Sequence, residues 1–252
     1  MRSSDIKPKK SLGQNFLINQ GILDKIIHAA ELTGENTVVE VGPGIGNLTK
    51  KLAEKAGKVV AIEKDRRLIE KLREEFKNTN TEIVEGDALK LKAENLGLRD
   101  GEYKIVANIP YYITSNLLRT VFEQWPRPKL IVLTVQKEVA QRIVAKPPHM
   151  NILALSVQFF AEPKIISYVS RGSFRPIPKV DSAIIKLNPK HQARNPKQVE
   201  RFFKLIKTAF AGKRKQLKNT IGKEILEKAS IRPETRPEEL SLDKWLELSG
   251  FL

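Results

Sequence analysis

A doubly wound α/β domain followed by a small all-helical one is the fold that this 252-residue sequence predicts. Three observations carry the prediction. Apolar strand-like runs alternate with amphipathic helical stretches from residue 21 to residue 161. The runs are continuously apolar instead of alternating with polar residues, as strands read when helices cover both faces of a parallel sheet. Beyond a polar, proline-bearing stretch at 188–196 (NPKHQARNP) only helical signals remain.

The elements follow in order. The spacing of Ile22, Leu23, Ile26, Ile27 and Ala30 predicts a helix over 21–33. TVVEVG at 37–42 reads as a strand, followed by a helix over 48–56, a strand at 58–63 (KVVAIE) and a helix over 66–77. A short strand at 81–85 (TEIVE), a strand at 103–108 (YKIVAN), a helix over 114–124 and a strand at 129–136 (KLIVLTVQ) continue the alternation. Helices near 137–145 and 151–161 and two β-rich runs at 164–170 and 181–187 complete a first domain, 1–188. Residues 189–252 make the second, with helices near 197–211, 213–222, 223–229 and 238–248. Arg232-Pro233 and Arg236-Pro237 separate the last two, because a residue before proline avoids the helical region.

Composition narrows the function classes. With 40% hydrophobic and 29% charged residues, the chain has ample apolar material for a buried core. The absence of Cys excludes a disulfide framework and thiolate metal ligation, and suits a reducing compartment. The basic start has no apolar segment of the kind a secretory leader needs. No apolar run approaches the ~20 residues of a membrane span. A cytoplasmic protein with no membrane partner is the expectation. Charge is the extreme feature: 45 Lys and Arg against 29 Asp and Glu leave +16, which points to a polyanionic partner.

The first chemical signal is Val41-Gly42-Pro43-Gly44-Ile45-Gly46-Asn47, between an apolar strand and a helix. Such a turn brings backbone N–H groups close to a ligand. The dinucleotide fingerprint would need a third glycine at position 47, which is Asn; here the glycines fall at every second position. The next strand ends in Glu63, ~20 residues on, where a carboxylate meets a ribose diol. The following strand leads into Glu85-Gly86-Asp87-Ala88, a second acid at the same edge, able to accept a hydrogen bond from an adenine amino group. Either acid alone reads as a solvated surface residue. Sites at successive strand ends read as one ligand crevice.

The strand at 103–108 runs into Asn108-Ile109-Pro110-Tyr111-Tyr112. An arylamine such as adenine N6 is a poor nucleophile, because its lone pair is delocalised into the ring. Acceptors on both its hydrogens, the Asn108 side-chain oxygen and the Ile109 carbonyl, would pull it toward tetrahedral geometry. Pro110 stiffens the turn that aims them, and Tyr111 offers a face for a base taken out of its stack. A helix cap and turn is the simpler reading of Asn-x-Pro; the glycine loop and the two strand-end acids favour the chemical one. His28, His149 and His191 read as helix-surface and loop residues, not catalysts.

These motifs together resemble those of the ribosomal RNA adenine dimethyltransferases. The resemblance rests on Lys10–Leu17 (KSLGQNFL), the loop at 41–49, Glu63, Asp87, Asn108–Tyr111 (NIPY), Phe174–Ser182 (FRPIPKVDS) and Phe210–Asn219 (FAGKRKQLKN). It spans nearly the whole chain and is strongest to the small-subunit (16S) branch. It implies a Rossmann-like methyltransferase sheet with a small C-terminal helical domain, and S-adenosyl-L-methionine as cofactor. Asn15 and Leu17 would lie beside the cofactor's methionine end, Gly42 beneath it and Gly44 in the same loop. Glu63 would take the ribose hydroxyls, Asp87 the adenine, with Ala88 alongside. Asn108 would contact both cofactor and target, while Tyr111 and Phe174 would stack on the flipped base. The implied product is two adjacent dimethyladenosines in the 3′-terminal hairpin of 16S rRNA, made on an assembling small ribosomal subunit by a monomer. The chemistry requires no metal and no covalent intermediate.

Lys213, Arg214, Lys215 and Lys218 would place four cations in two helical turns, where a phosphate backbone relieves their repulsion. Three other functions compete. A large-subunit (23S) adenine methylase of the antibiotic-resistance type would share the cofactor motifs, and the basic tail argues against it. A non-enzymatic nucleic-acid-binding relative has no need of an intact NIPY segment or glycine loop. A nicotinamide oxidoreductase conflicts with Asn47 and lacks a hydride-transfer partner.

Overall fold

The computed structural model describes residues 8–9, 12–190, 195–212 and 215–251. Its elements are β1 (Phe16–Leu17), α1 (Gln20–Ala30), β2 (Thr37–Val41), α2 (Asn47–Ala53), β3 (Lys58–Glu63), α3 (Arg66–Glu75), β4 (Thr81–Glu85), β5 (Tyr103–Asn108) and α4 (Thr114–Gln124). They continue as β6 (Leu130–Gln136), α5 (Lys137–Ile143), α6 (Ile152–Phe160), β7 (Ala161–Val169), β8 (Phe174–Arg175), β9 (Ser182–Pro189), α7 (Pro196–Ala211), α8 (Lys223–Lys228) and α9 (Leu242–Gly250). Among the described residues no helix is long and apolar enough to cross a membrane.

The chain divides into two compact units, Met1–Ala140 with Lys164–Pro189, and Gln141–Pro163 with Lys190–Leu252. The first holds a doubly wound sheet in the order β4-β3-β2-β5-β6-β9-β7. Pairing is parallel from β4 to β6, and β9 runs antiparallel to β6. The winding reverses between β2 and β5, and a ligand crevice opens outside the carboxyl ends of strands at such a point. β1 and β8, too short to be read from periodicity, form a separate two-stranded ribbon in which Phe16 pairs with Arg175.

One face of the sheet is covered by α1 and α2, burying Leu23, Ile26 and Leu52 against Val38, Val59, Val106 and Val132. Each fully buried Leu or Ile contributes about 1.5–3 kcal/mol. α1 stops at Ala30, short of the expected residue 33, because Glu31 turns left-handed (φ 49°). Lys104, buried on β5, caps the freed carbonyls: its Nζ donates to the oxygens of Ala30 and Glu31. Burial lowers the pKa of that ammonium, and the carbonyl partners keep it satisfied.

In the second unit α6 packs with the C-terminal helices, so the units differ from a simple cut at 188/189. The sequence ILALSVQFF is apolar nearly all round and must be covered on more than one side. Phe159 meets Phe202 with ring centroids 4.3 Å apart, in a core shared by Leu155, Ile206, Leu226 and Trp245. The helix expected over 213–222 does not form as such. Lys213 and Arg214 lie outside the described residues, Lys215 and Gln216 have no regular structure, and Leu217–Asn219 is a single 3-10 turn. Leu217 and Lys218 donate their amides to the Thr235 and Pro233 carbonyls, across the chain instead of along a helix.

Candidate active site

The site grows out of the strand ends at the winding reversal. β2 delivers the glycine loop, in which Gly42, Gly44 and Gly46 all take positive φ, at 72°, 61° and 85°. Gly44 shows why: a Cβ there would lie 2.8 Å from Cδ1 of Phe16, on top of the left-handed strain. β3 delivers Glu63, only 6% exposed, which ties the loop to the next turn. Its Oε2 accepts from the Gly44 amide at 3.1 Å, and its Oε1 accepts from the Lys64 and Asp65 amides at 2.8 Å each. A carboxylate has about four acceptor sites, so one remains for a ligand hydroxyl. Burial raises the Glu63 pKa, and the three amides offset part of that rise.

Asp87, just past β4, accepts from the Leu89 amide at 3.1 Å and from Lys64 Nζ at 2.8 Å. Partial burial pulls its pKa up, but the Lys64 ammonium and the Leu89 amide outweigh that, and the carboxyl ionises below its ordinary range.

β5 delivers Asn108, whose Nδ2 donates to the Asn15 carbonyl at 3.1 Å. A carbonyl can only accept, so this contact fixes which end of the amide is nitrogen and leaves Oδ1 as the acceptor. Ile109 is buried, and the Pro110 carbonyl accepts from the Ile113 amide, closing a tight turn over Tyr111–Ile113. The Tyr111 hydroxyl shares a 2.7 Å hydrogen bond with Ser182 Oγ at the start of β9. Burial raises the phenol's pKa.

Residues 12–16 form the remaining wall, and three side chains clip it and the adjoining Leu17 down. Gln14 Nε2 donates to Asp65 Oδ2 at 3.0 Å, Asn47 Nδ2 to the Leu17 carbonyl at 2.8 Å, and Asn108 to Asn15. Asn47, at the place of the missing third glycine, therefore anchors β1. Together these walls enclose an open cleft.

Asn15, Gly42, Gly44, Glu63, Asp87, Ala88, Asn108, Ile109, Pro110 and Tyr111 all line that cleft. Two expected residues do not. The Leu17 side chain is buried in the core beneath α1, so only its backbone faces the loop, through Asn47. Phe174 has no exposed surface and packs with Leu17 and Ile184, so it presents no face to a base; pairing of β8 with β1 turns it inward. Lys218 is not a free cation of a basic helix: its Nζ lies 3.2 Å from Glu234. Gln14, Lys64 and Tyr112, for which the sequence suggests no role, also line the cleft. Glu40 is a further residue given no role, and its signal in the sequence is a lone acid within an apolar strand. Glu40 is 1% exposed, and burial pushes its carboxyl up to about 8. The Thr49 hydroxyl offsets part of the shift without a full hydrogen bond; Glu40 Oε2 and Thr49 Oγ1 have no partner among the described residues.

A small-subunit ribosomal RNA methyltransferase A from Dehalococcoides mccartyi (strain CBDB1) is 43% identical over 98% of this chain and 89% of its own. The protein of that name from Pelotomaculum thermopropionicum is 41% identical over 99% and 92%. Among solved structures, a dimethyladenosine transferase from Plasmodium falciparum superposes with a TM-score of 0.80 at 32% identity, over 92% of this chain and 95% of that one. The 23S rRNA methyltransferase ErmE reaches 0.77 at 27% identity, over 94% and 98%. The profile of one family, described as ribosomal RNA adenine dimethylase, matches residues 6–252. With that match over nearly the whole chain and ten of the expected site residues gathered around one cleft, the protein is a methyltransferase belonging to the ribosomal RNA adenine dimethylase family.

Proposed function

We propose that this chain transfers methyl groups from S-adenosyl-L-methionine to N6 of two adjacent adenosines in the 3′-terminal hairpin of 16S rRNA, giving N6,N6-dimethyladenosine during small-subunit assembly. One observation carries the reading. Asn108 is locked with its nitrogen on Asn15, leaving its oxygen as an acceptor in a cleft walled by the glycine loop and Tyr111. The cleft also fits the cofactor. Glu63 retains one acceptor site for a ribose hydroxyl, and Asp87 is an ionised acceptor two residues past β4. When bound, S-adenosyl-L-methionine supplies an activated methyl group on a sulfonium.

The chain's own residues supply position and polarity. Asn108 Oδ1 and the Ile109 carbonyl accept the two amine hydrogens before the first transfer, and one of them accepts the single hydrogen left before the second, which localises the lone pair on N6. Tyr111 lends its ring to the extruded base. The hydroxyl of Tyr111, bonded to Ser182, holds that ring in place and takes no proton. Alkylation leaves the nitrogen acidic, and its proton passes to water at the open side of the cleft. All these groups come from one chain, which suits a monomer acting in the cytoplasm, where small subunits assemble. Relatives above 40% identity carry the small-subunit name, whereas the 23S enzyme stands at 27%, which favours the 16S substrate.

Radiolabelled methyl transfer to undermethylated small subunits, large subunits and free RNA, side by side, tests the reading. Small-subunit labelling with two dimethylated adenosines is the expected result, and labelling of large subunits alone would overturn the substrate. In the same assay Asn108→Ala should lower turnover by roughly 10²–10³-fold with cofactor binding retained.

A further inference from the structure

The segment Arg175–Ser182 (RPIPKVDS) leaves one wall of the cleft and returns to another. Arg175 pairs with Phe16, which lines the cleft, and Ser182 is bonded to Tyr111, which lines it as well. Between these anchors Pro178 is buried while Ile177 is 57% exposed and Val180 44%. A scattered exposed apolar side chain is ordinary on any protein surface. Ile177 differs in how it is held. It stands between Pro176 and Pro178, where the following proline restricts its own backbone to extended conformations. The loop is pinned further by Asp181, whose carbonyl accepts from the Lys137 amide at 2.9 Å and whose carboxylate accepts from the Arg171 amide at 3.0 Å.

Charge completes the picture. Arg171, Arg175 and Lys179 are exposed, and Asp181 is the single acid between residues 171 and 182. Arg175 Nη1 donates to the Gly172 and Phe174 carbonyls, so its cation is kept at the base of the loop. A stiff apolar tip flanked by cations matches a nucleic-acid wedge: phosphates meet the cations and the tip enters between stacked bases.

We propose that Ile177 is an unstacking wedge, which takes the place of the target adenosine beside its neighbours as that base moves into the cleft toward Tyr111. The inference rests on the proposed RNA substrate and adds a residue that selects stacked targets. Its cost to the protein is small, because prolines have already paid the ordering of the loop.

The test compares two RNAs of identical target sequence, a folded hairpin with the adenosines stacked and an unstructured single strand. Ile177→Ala should lower kcat/KM on the hairpin about tenfold or more and stay within about twofold on the single strand, since unstacking is needed only in the first. Ile177→Leu should restore the hairpin activity. With 2-aminopurine at the target position of the hairpin, binding of the wild-type enzyme should raise fluorescence, and binding of Ile177→Ala should not. An equal loss on both RNAs, or no loss on either, would overturn the wedge. Failure of the wild-type enzyme to methylate undermethylated small subunits would instead overturn the functional reading, and the wedge with it.

Discussion

Glu40 couples the stability of the sheet-bearing unit to pH. Its folded-state pKa of about 8 stands above the ordinary 4.5, because burial disfavours the charged carboxylate. The sign follows. A group that binds its proton more tightly when folded stabilises fully below its unfolded pKa, and that stability drains away as pH rises through the folded value. For Glu40 the window runs from about 4.5 to about 8. At ~1.4 kcal/mol per pH unit, the loss by pH 7 amounts to roughly 3–4 kcal/mol at most. Glu40→Gln keeps the shape and removes the titration. Urea unfolding at half-unit steps from pH 5 to 8 measures it. A Trp245→Phe background leaves Trp125, which lies in the same unit as Glu40, as the fluorophore. The gap between Glu40→Gln and its parent should shift in favour of the variant with each step, and other titrating groups cancel because both proteins carry them. Parallel curves across that range would refute the assignment of a neutral, buried Glu40.

Glu63→Ala should weaken S-adenosyl-L-methionine binding by ~1–3 kcal/mol while RNA affinity holds, read by calorimetry on the folded variant. Wild-type cofactor affinity there would remove Glu63 from the site. Tyr111→Phe keeps the ring but strands the buried Ser182 hydroxyl, so it should cost about 1 kcal/mol of stability with base binding largely kept. Tyr111→Ala should lose a further ~1–3 kcal/mol of stacking, and equal base binding in the two variants would contradict that role. Replacing Lys213, Arg214 and Lys215 with Gln should flatten the salt dependence of RNA binding, lowering the log–log slope by roughly 2–3 if all three meet phosphate. Lys218, already paired with Glu234, should add little to that change.

The order of strands and helices in the first unit, the glycine loop and the acids at the ends of β3 and β4 were legible in the sequence. Their signals are local: a continuous apolar run, a glycine spacing, a carboxylate where a strand stops. Asn108 and Tyr111 were legible for the same reason, since the turn they share is built from neighbouring residues. Only the tertiary structure decided what those side chains touch. The pairing of β1 with β8 turns Phe174 and Leu17 into the core, though both sit in segments that read as binding motifs. The bond from Tyr111 to Ser182 spans 71 positions and the one from Asn108 to Asn15 spans 93, far beyond any periodicity. The C-terminal basic segment shows the reverse failure. Its composition suggested a helix, but Leu217 and Lys218 find better backbone partners at Thr235 and Pro233 than a helix would provide. Local pattern specifies which elements form. Contacts between residues far apart in sequence specify which face each side chain presents, because burial and hydrogen-bond satisfaction are settled across the whole fold.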